Sequence, residues 1–119
     1  MRVALAIVLA LSGAGVASAE DVASAPGAIL RGLDKVSGET VDFDLDSGQP
    51  AEFGRLAVTL SDCRYPVEDP SSNAYAHLTI ADTASGAVAF EGWMIASSPA
   101  LSALDDPRYD LWVLRCKSS

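Results

Sequence analysis

Apolar residues fall into two regimes along this chain. Val3–Leu11 (VALAIVLAL) is an unbroken apolar run. Beyond residue 27 the apolar positions come in short groups, often alternating with polar ones and separated by Gly, Pro, Ser and Asp. In Glu39–Leu45, Val41, Phe43 and Leu45 fall on one side and Asp42 and Asp44 on the other, the period of a half-buried strand. Asn73–Asp82 repeats the pattern with Ala76, Leu78 and Ile80 inward, and Phe53–Cys63 places Leu56, Val58 and Leu60 on a shared face. Ala28–Val36 and Ala87–Ala96 are further strand segments, and Tyr109–Cys116 is nearly continuous in apolar character, which predicts a central strand.

The punctuation agrees. Ser37-Gly38 and Asp46–Pro50 are turn signals, Arg64–Ser72 carries two prolines and predicts a surface loop, and Thr83–Gly86 suits a hairpin with Gly86 in the left-handed position. Pro99–Pro107 has apolar spacing for at most one or two helical turns. Strands at this spacing predict an all-β domain: a small sandwich or barrel of six or seven strands, mostly antiparallel, with one short helical or irregular loop near 99–107. One tension remains within the pattern. Strict alternation puts Cys63 on the face of Ala57 and Thr59, opposite Leu56, Val58 and Leu60, so either a bulge shifts the phase or Cys63 sits at a strand end.

The first apolar run changes the accounting. Arg2 precedes it, Ser12, Gly13 and Gly15 break it, and Ala17-Ser18-Ala19 ends it with small residues where a signal peptidase reads. This order predicts a cleavable secretory signal over 1–19, cut between Ala19 and Glu20. The run is shorter than the roughly 20 residues a spanning helix needs, and no second long apolar run follows, so the mature chain is expected not to span a membrane. Residues 20–27, small and polar with Pro26, predict a disordered leader, and 28–117 a single domain. Losing Arg2 leaves seven basic against sixteen acidic side chains, taking the net charge from −8 to −9. Such a domain repels nucleic acid and anionic lipid surfaces.

Cys63 and Cys116 are an even pair in a small exported domain, which predicts a disulfide. There is no Cys-x-x-Cys to suggest a redox pair. The remaining residues give no catalytic or cofactor motif. Asp42, Asp44, Asp46 and Gly48 suggest a calcium loop, but counting from Asp42 the sixth and twelfth positions hold Ser47 and Phe53 where Gly and Glu are needed. A solvated strand face that blocks edge pairing explains the acids equally. His77 is the sole histidine, and Ser97-Ser98 lacks the Gly-x-Ser-x-Gly elbow, so a catalytic triad has no support. Trp93 lies on the strand face of Glu91 and Ile95, opposite Phe90 and Met94. It is either core or an exposed binding residue. The stretch from Trp93 to Asp110 is the richest in the chain, and long ordered loops of this kind often carry function. Within it, Arg108 either takes part in recognition or clamps Asp105, Asp106 or Asp110.

Several runs are specific: Leu33–Gly38 (LDKVSG), Phe53–Leu56 with Val58–Leu60, Cys63-Arg64, Gly92–Leu104 (GWMIASSPALSAL) and Pro107–Cys116 (PRYDLWVLRC). On these the chain resembles domain-of-unknown-function family 2155 over about 30–117. The resemblance implies a small exported protein of Gram-negative bacteria, hence a periplasmic one, with no assigned activity and no catalytic residues to carry over. Three functional expectations follow. The first is a binding or accessory module with no cofactor, acting through Trp93, Ser97, Ser98, Leu101, Leu104, Arg108 and Tyr109 on a protein partner, pictured as a subunit at the periplasmic face of an inner-membrane complex such as a respiratory one. The second is a small hydrolase using Asp105, Asp106 or Asp110. The third is a cation or small-ligand binder using the acidic strand face.

Overall fold

A computed structural model describes residues 20–117; the expected signal segment 1–19 lies outside the described residues. The described chain is all-β, with eight strands and no helix. They are β1 (Val22–Ala25), β2 (Gly27–Asp34), β3 (Thr40–Asp46), β4 (Ala51–Phe53), β5 (Leu56–Pro66), β6 (Tyr75–Asp82), β7 (Val88–Ile95) and β8 (Tyr109–Lys117). Every pairing is antiparallel. One sheet runs β1-β5-β6-β7, with β4 on the same edge of β5 as β1. The other runs β3-β2-β8. Their inner faces bury Leu30, Leu45, Leu56, Val58, Leu60, Leu78, Ile80, Met94, Leu111 and Val113 in one core, the interior of a small sandwich.

The strand pattern of the sequence is realised most cleanly in β6, where Ala76, Leu78 and Ile80 are fully buried. Gly86 takes the left-handed conformation expected of it, at φ 74°. Five expectations need correction. Residues 20–27 are not a disordered leader: β1 pairs Ala25 with Cys63 and Val22 with Pro66, so its small residues are ordered by a partner distant in sequence. Arg64–Pro66 belong to β5 rather than to a surface loop, for the same reason. Phe53–Cys63 is not one strand. Gly54-Arg55 turns the chain between Phe53 and Leu56, which face each other across the β4–β5 pair. Gly54, at φ 56°, is the first of two central residues, as in II′ hairpins. In β3 the inward row fades, since Leu45 is buried but Val41 is exposed. Finally β8 is not central. It forms the edge of its sheet, and its apolar face packs towards β6 and β7.

Both sides of the sandwich are closed by chain that passes between the sheets. On one side only Pro26 separates Ala25, in the first sheet, from Gly27, in the second. A Cβ on Gly27 would collide with the Leu45 carbonyl oxygen, so the crossing needs glycine. Nearby, Asp46–Ala51 carries β3 across to β4, with Gly48 N–H donating to Leu60 O at 2.9 Å. On the other side the segment 96–108 leaves β7 level with the disulfide and must run back along β8 to begin it at Tyr109. It is irregular, without a helical turn, and it covers an edge that would otherwise invite pairing.

Cys63 and Cys116 form the expected disulfide, with Cα atoms 5.7 Å apart, joining β5 of one sheet to β8 of the other. The phase problem at Cys63 is solved by a bulge. Leu60 pairs with Leu78 but Asp62 with His77, so Ser61 is extra and Cys63 turns into the core. Closing a loop of about 52 residues is worth about 4 kcal/mol in the chain-entropy model. Replacing both cysteines with serine is therefore expected to lower the unfolding free energy by about 3–5 kcal/mol, read as a lower denaturant midpoint, with reductant giving the unmodified protein a similar loss and leaving the variant unchanged.

Candidate functional site

Two hairpins share one construction, built on the same five-residue motif. Asp34-Lys35-Val36-Ser37-Gly38 and Asp82-Thr83-Ala84-Ser85-Gly86 both read Asp-x-x-Ser-Gly. In the first, Asp34 Oδ1 accepts from Val36 N–H (2.9 Å) and Ser37 N–H (3.3 Å), and Ser37 Oγ accepts from Glu39 N–H (3.2 Å). In the second, Asp82 Oδ1 accepts from Ala84 N–H (2.8 Å) and Ser85 N–H (3.2 Å), and Ser85 Oγ from Ala87 N–H (3.2 Å). Each aspartate gives its other oxygen to an arginine from elsewhere: Arg108 to Asp34 at 3.1 Å and Arg55 to Asp82 at 3.1 Å. These bonds to the charged form hold both carboxyls below their ordinary value, the arginine being the larger cause in each.

This settles where the long segment's residues go. Arg108 does not clamp Asp105, Asp106 or Asp110; it ties the segment to Asp34 at the end of β2 and lies 5.3 Å above the Tyr109 ring. Asp106 accepts from the N–H groups of Arg108 (2.8 Å) and Tyr109 (2.9 Å), and Asp110 from Leu111 N–H (2.9 Å), while Asp105 is exposed. Lys35 Nζ adds a bond to the Asp106 carbonyl at 2.6 Å. Two residues expected on an interaction surface are core instead. Leu104 is 4% and Tyr109 5% exposed. Tyr109 packs edge-on to Phe53 at 5.3 Å between centroids, and its hydroxyl sits where a Cβ on Gly54 would be. Leu104 points inward because its segment is the side wall of the sandwich, and Tyr109 because it opens the inward row that Leu111 and Val113 continue in β8. Ser97 is exposed and Ser98 half-buried, and Leu101 stands 76% exposed. An open cleft of about 400 Å³ separates Pro99, Ala100 and Ala103 from Asp110, Leu111 and Trp112.

Trp93 is not core. It is 37% exposed on the outer face of the first sheet, because Met94 beside it is the inward residue. Register builds a lattice around it. One row across β5, β6 and β7 is Arg64–Tyr75–Ile95, the next Asp62–His77–Trp93, and a third Thr59–Thr79–Glu91. The His77 ring meets Trp93 edge-on at 5.1 Å, and the Arg64 guanidinium lies 4.9 Å over the indole. Arg64 Nε is held by Asp62 at 2.7 Å, His77 Nδ1 lies 3.1 Å from Ser61 Oγ, and the Tyr75 hydroxyl donates to Glu20 at 3.0 Å. That bond to a carboxylate raises the Tyr75 phenol above its ordinary value. The side chains here are thus held by contacts within the chain. His77 faces outward by the plain alternation of β6, opposite Ala76, Leu78 and Ile80, whereas Arg64 joins this face through the Ser61 bulge in β5, whose position the local pattern does not reveal.

The acidic ladder of β3 is spoken for. Asp42 is gripped by both arms of Arg31 (2.6 and 2.9 Å), which lowers its carboxyl, and Lys117 bridges Asp46 (3.0 Å) and Asp44 (3.6 Å). Among the described residues no three His, Cys, Asp or Glu side chains converge as a metal site.

Fold and surface together define a two-sheet, disulfide-stapled all-β module. The chain belongs to the family described as "Uncharacterized protein conserved in bacteria" (DUF2155), whose model matches residues 28–116. It is similar, at 26% identity over 87 residues, to an uncharacterised protein of Rickettsia prowazekii (strain Madrid E), over 71% of this chain and 56% of that protein. The chain thus spans about half the length of this curated relative. No solved structure matches.

Leu104→Ala is expected to cost about 2–5 kcal/mol, whereas Leu101→Ala should change stability by less than about 0.5 kcal/mol, as measured by chemical denaturation. The pH response follows from Asp34 and Asp82. A carboxyl lowered in the folded state stabilises fully above its unfolded pKa of about 3.9 and loses that contribution as pH falls through the lower folded value. Asp34→Asn keeps the turn acceptor but removes the charge. Its thermal midpoint is expected below that of the unmodified protein at neutral pH, with the gap closing as pH falls from about 4 through the lower folded value.

Proposed function

We propose that this protein is an exported protein-binding module that engages its partner through the outer face of β5, β6 and β7, centred on Trp93. The observation that carries the reading is the exposed indole held between His77 and Arg64. Tryptophan, tyrosine and arginine are the residues that dominate binding energy when they are buried at an interface. Here they are set on adjacent strands of a rigid sheet, so little side-chain entropy remains to be lost on docking. The segment 96–108 takes a supporting part in this reading, since most of its hydrogen bonds and its one large inward side chain, Leu104, serve the sandwich itself.

The setting we propose is the periplasmic face of an inner-membrane complex, with this protein as an accessory subunit. It rests on the export-type N-terminus, the inter-sheet disulfide and a small domain with a prepared contact face. A tagged copy expressed from its own promoter, with membranes solubilised in mild detergent, provides the test. The unmodified protein is expected to co-purify with defined membrane subunits. Trp93→Ala, which leaves the core untouched, should reduce that recovery at least about tenfold, as loss of a hot-spot residue worth about 2 kcal/mol does. A free monomer, or equal recovery with Trp93→Ala, overturns the reading.

A further inference from the structure

The basic side chains of this acidic domain are nearly all committed. Arg31, Arg55, Arg64, Arg108 and Lys117 each bridge an aspartate, and Lys35 donates to the Asp106 carbonyl. Arg115 is the exception: its side chain makes no hydrogen bond or ion pair among the described residues. Its charge contributes to lowering Asp42, but both oxygens of that carboxylate are held by Arg31. Arg115 is also placed distinctively. The extra residue Leu114 in β8 puts Arg115 opposite Ile29 on the outer face of the β3-β2-β8 sheet, and there it lines an open cleft of about 470 Å³. The other walls are Ile29, Tyr65, Pro70, Ser71, Cys116 and Lys117.

That lining has a defined chemistry. Ile29, Pro70, the Tyr65 ring and the disulfide sulfur are apolar or polarisable. The Ser71 and Tyr65 hydroxyls are neutral. Lys117 is already neutralised by Asp44 and Asp46. One positive charge is therefore available, and it is an arginine, whose planar fork suits the two oxygens of a carboxylate. A dianion such as phosphate would leave a second negative charge uncompensated in a domain of net charge −9 once residues 1–19 are set aside, seven basic against sixteen acidic side chains. The volume lies in the range of about 300–1,000 Å³ usual for small-ligand sites.

We infer that this cleft is a binding site for an apolar monocarboxylate, its carboxylate on Arg115 and its apolar body against Ile29, Pro70 and Tyr65. The site is separate from the Trp93 face and stands or falls independently of the proposed protein partner. The ligand chemistry is shared by a fatty acid and by the C-terminal end of an apolar peptide, and the test distinguishes them. The isotopically labelled, disulfide-intact protein is titrated with decanoate, with N-acetyl-Leu-Leu bearing a free carboxylate, with the same dipeptide as its amide, and with inorganic phosphate. Amide chemical shifts of Ile29, Tyr65, Ser71 and Arg115–Lys117 report the site, and those of His77 and Trp93 serve as the internal control.

The expected result is saturable shifts at the cleft with decanoate, with the free-acid dipeptide, or with both; whichever binds more tightly identifies the source. Affinity should fall at least tenfold for the dipeptide amide and for Arg115→Gln. The unchanged remainder of the spectrum shows that the variant is folded. Three outcomes overturn the inference: no saturable shift with either carboxylate, binding unaffected by Arg115→Gln, or phosphate binding as tightly as the carboxylates. Since the Trp93 face enters only as the control and no arm measures partner binding there, failure here leaves the partner reading intact, and failure of that reading leaves this one.

Discussion

The bond between Cys63 and Cys116 ties together two sheets that otherwise meet only through side chains and crossing segments. A domain of about 100 residues has a small interior, and such folds commonly add a covalent staple. For the bond to form, both cysteines must face inward from strands whose alternation would not put them there unaided. Each strand solves this in the same way. In β5 the extra residue is Ser61, two before Cys63; in β8 it is Leu114, two before Cys116. The resulting slips bring Cys63 opposite Ala76 and Cys116 opposite Ala28. Small neighbours at both positions leave room for the sulfur atoms.

What the bulges do inside they also do outside. Shifting Cys63 inward shifts Asp62 and Arg64 outward, which is why Arg64 stands over Trp93 and Asp62 lies in the row of His77. Shifting Cys116 inward turns Arg115 to the outer face opposite Ile29. Both candidate binding features of this protein are thus the outward consequences of the geometry that makes the staple. Core and surface are linked here by strand register, and a change that removed either bulge would alter the stability of the domain and its surface chemistry together.

This linkage also explains what could be read from the sequence. The β6 row of Ala76, Leu78 and Ile80 was legible because both its faces follow a strict period of two with no insertion. The need for a bulge before Cys63 was legible as a contradiction in the pattern, but not its position. β1 and β4 were missed because Val22–Ala25 and Ala51–Phe53 are too short to show a period and become strands only by pairing with β5. The edge position of β8 was missed because its second side is covered by segment 96–108, so an edge strand carries the apolar sequence of a central one. That cover also accounts for Leu104, while Tyr109 begins the inward row of β8, so both sit in the richest stretch of the chain yet face the core. Trp93 was identified as a candidate, although its exposure depended on which face of β7 is inner. The repeated Asp-x-x-Ser-Gly turns were visible all along as a five-residue pattern, too short to stand out without knowing that both close hairpins.

The ion pairs follow a similar logic. Exposed pairs of this kind are worth about 0–1 kcal/mol each, so they are weak grounds for stability. Their arrangement matters more than their sum. Arg108 and Arg55 pin two turns, Arg31 and Lys117 neutralise the acids of an exposed edge strand, and Asp62 orients the arginine above Trp93. With so few cations against so many acids, each basic group is placed where a backbone, an edge or an aromatic ring needs fixing. Arg115, which has no ion-pair partner among the described residues, departs from this pattern and stands beside a mostly apolar cleft. Reading the surface by what each charge holds in place therefore separates the scaffold from the two places, Trp93 and Arg115, on which the proposed binding rests.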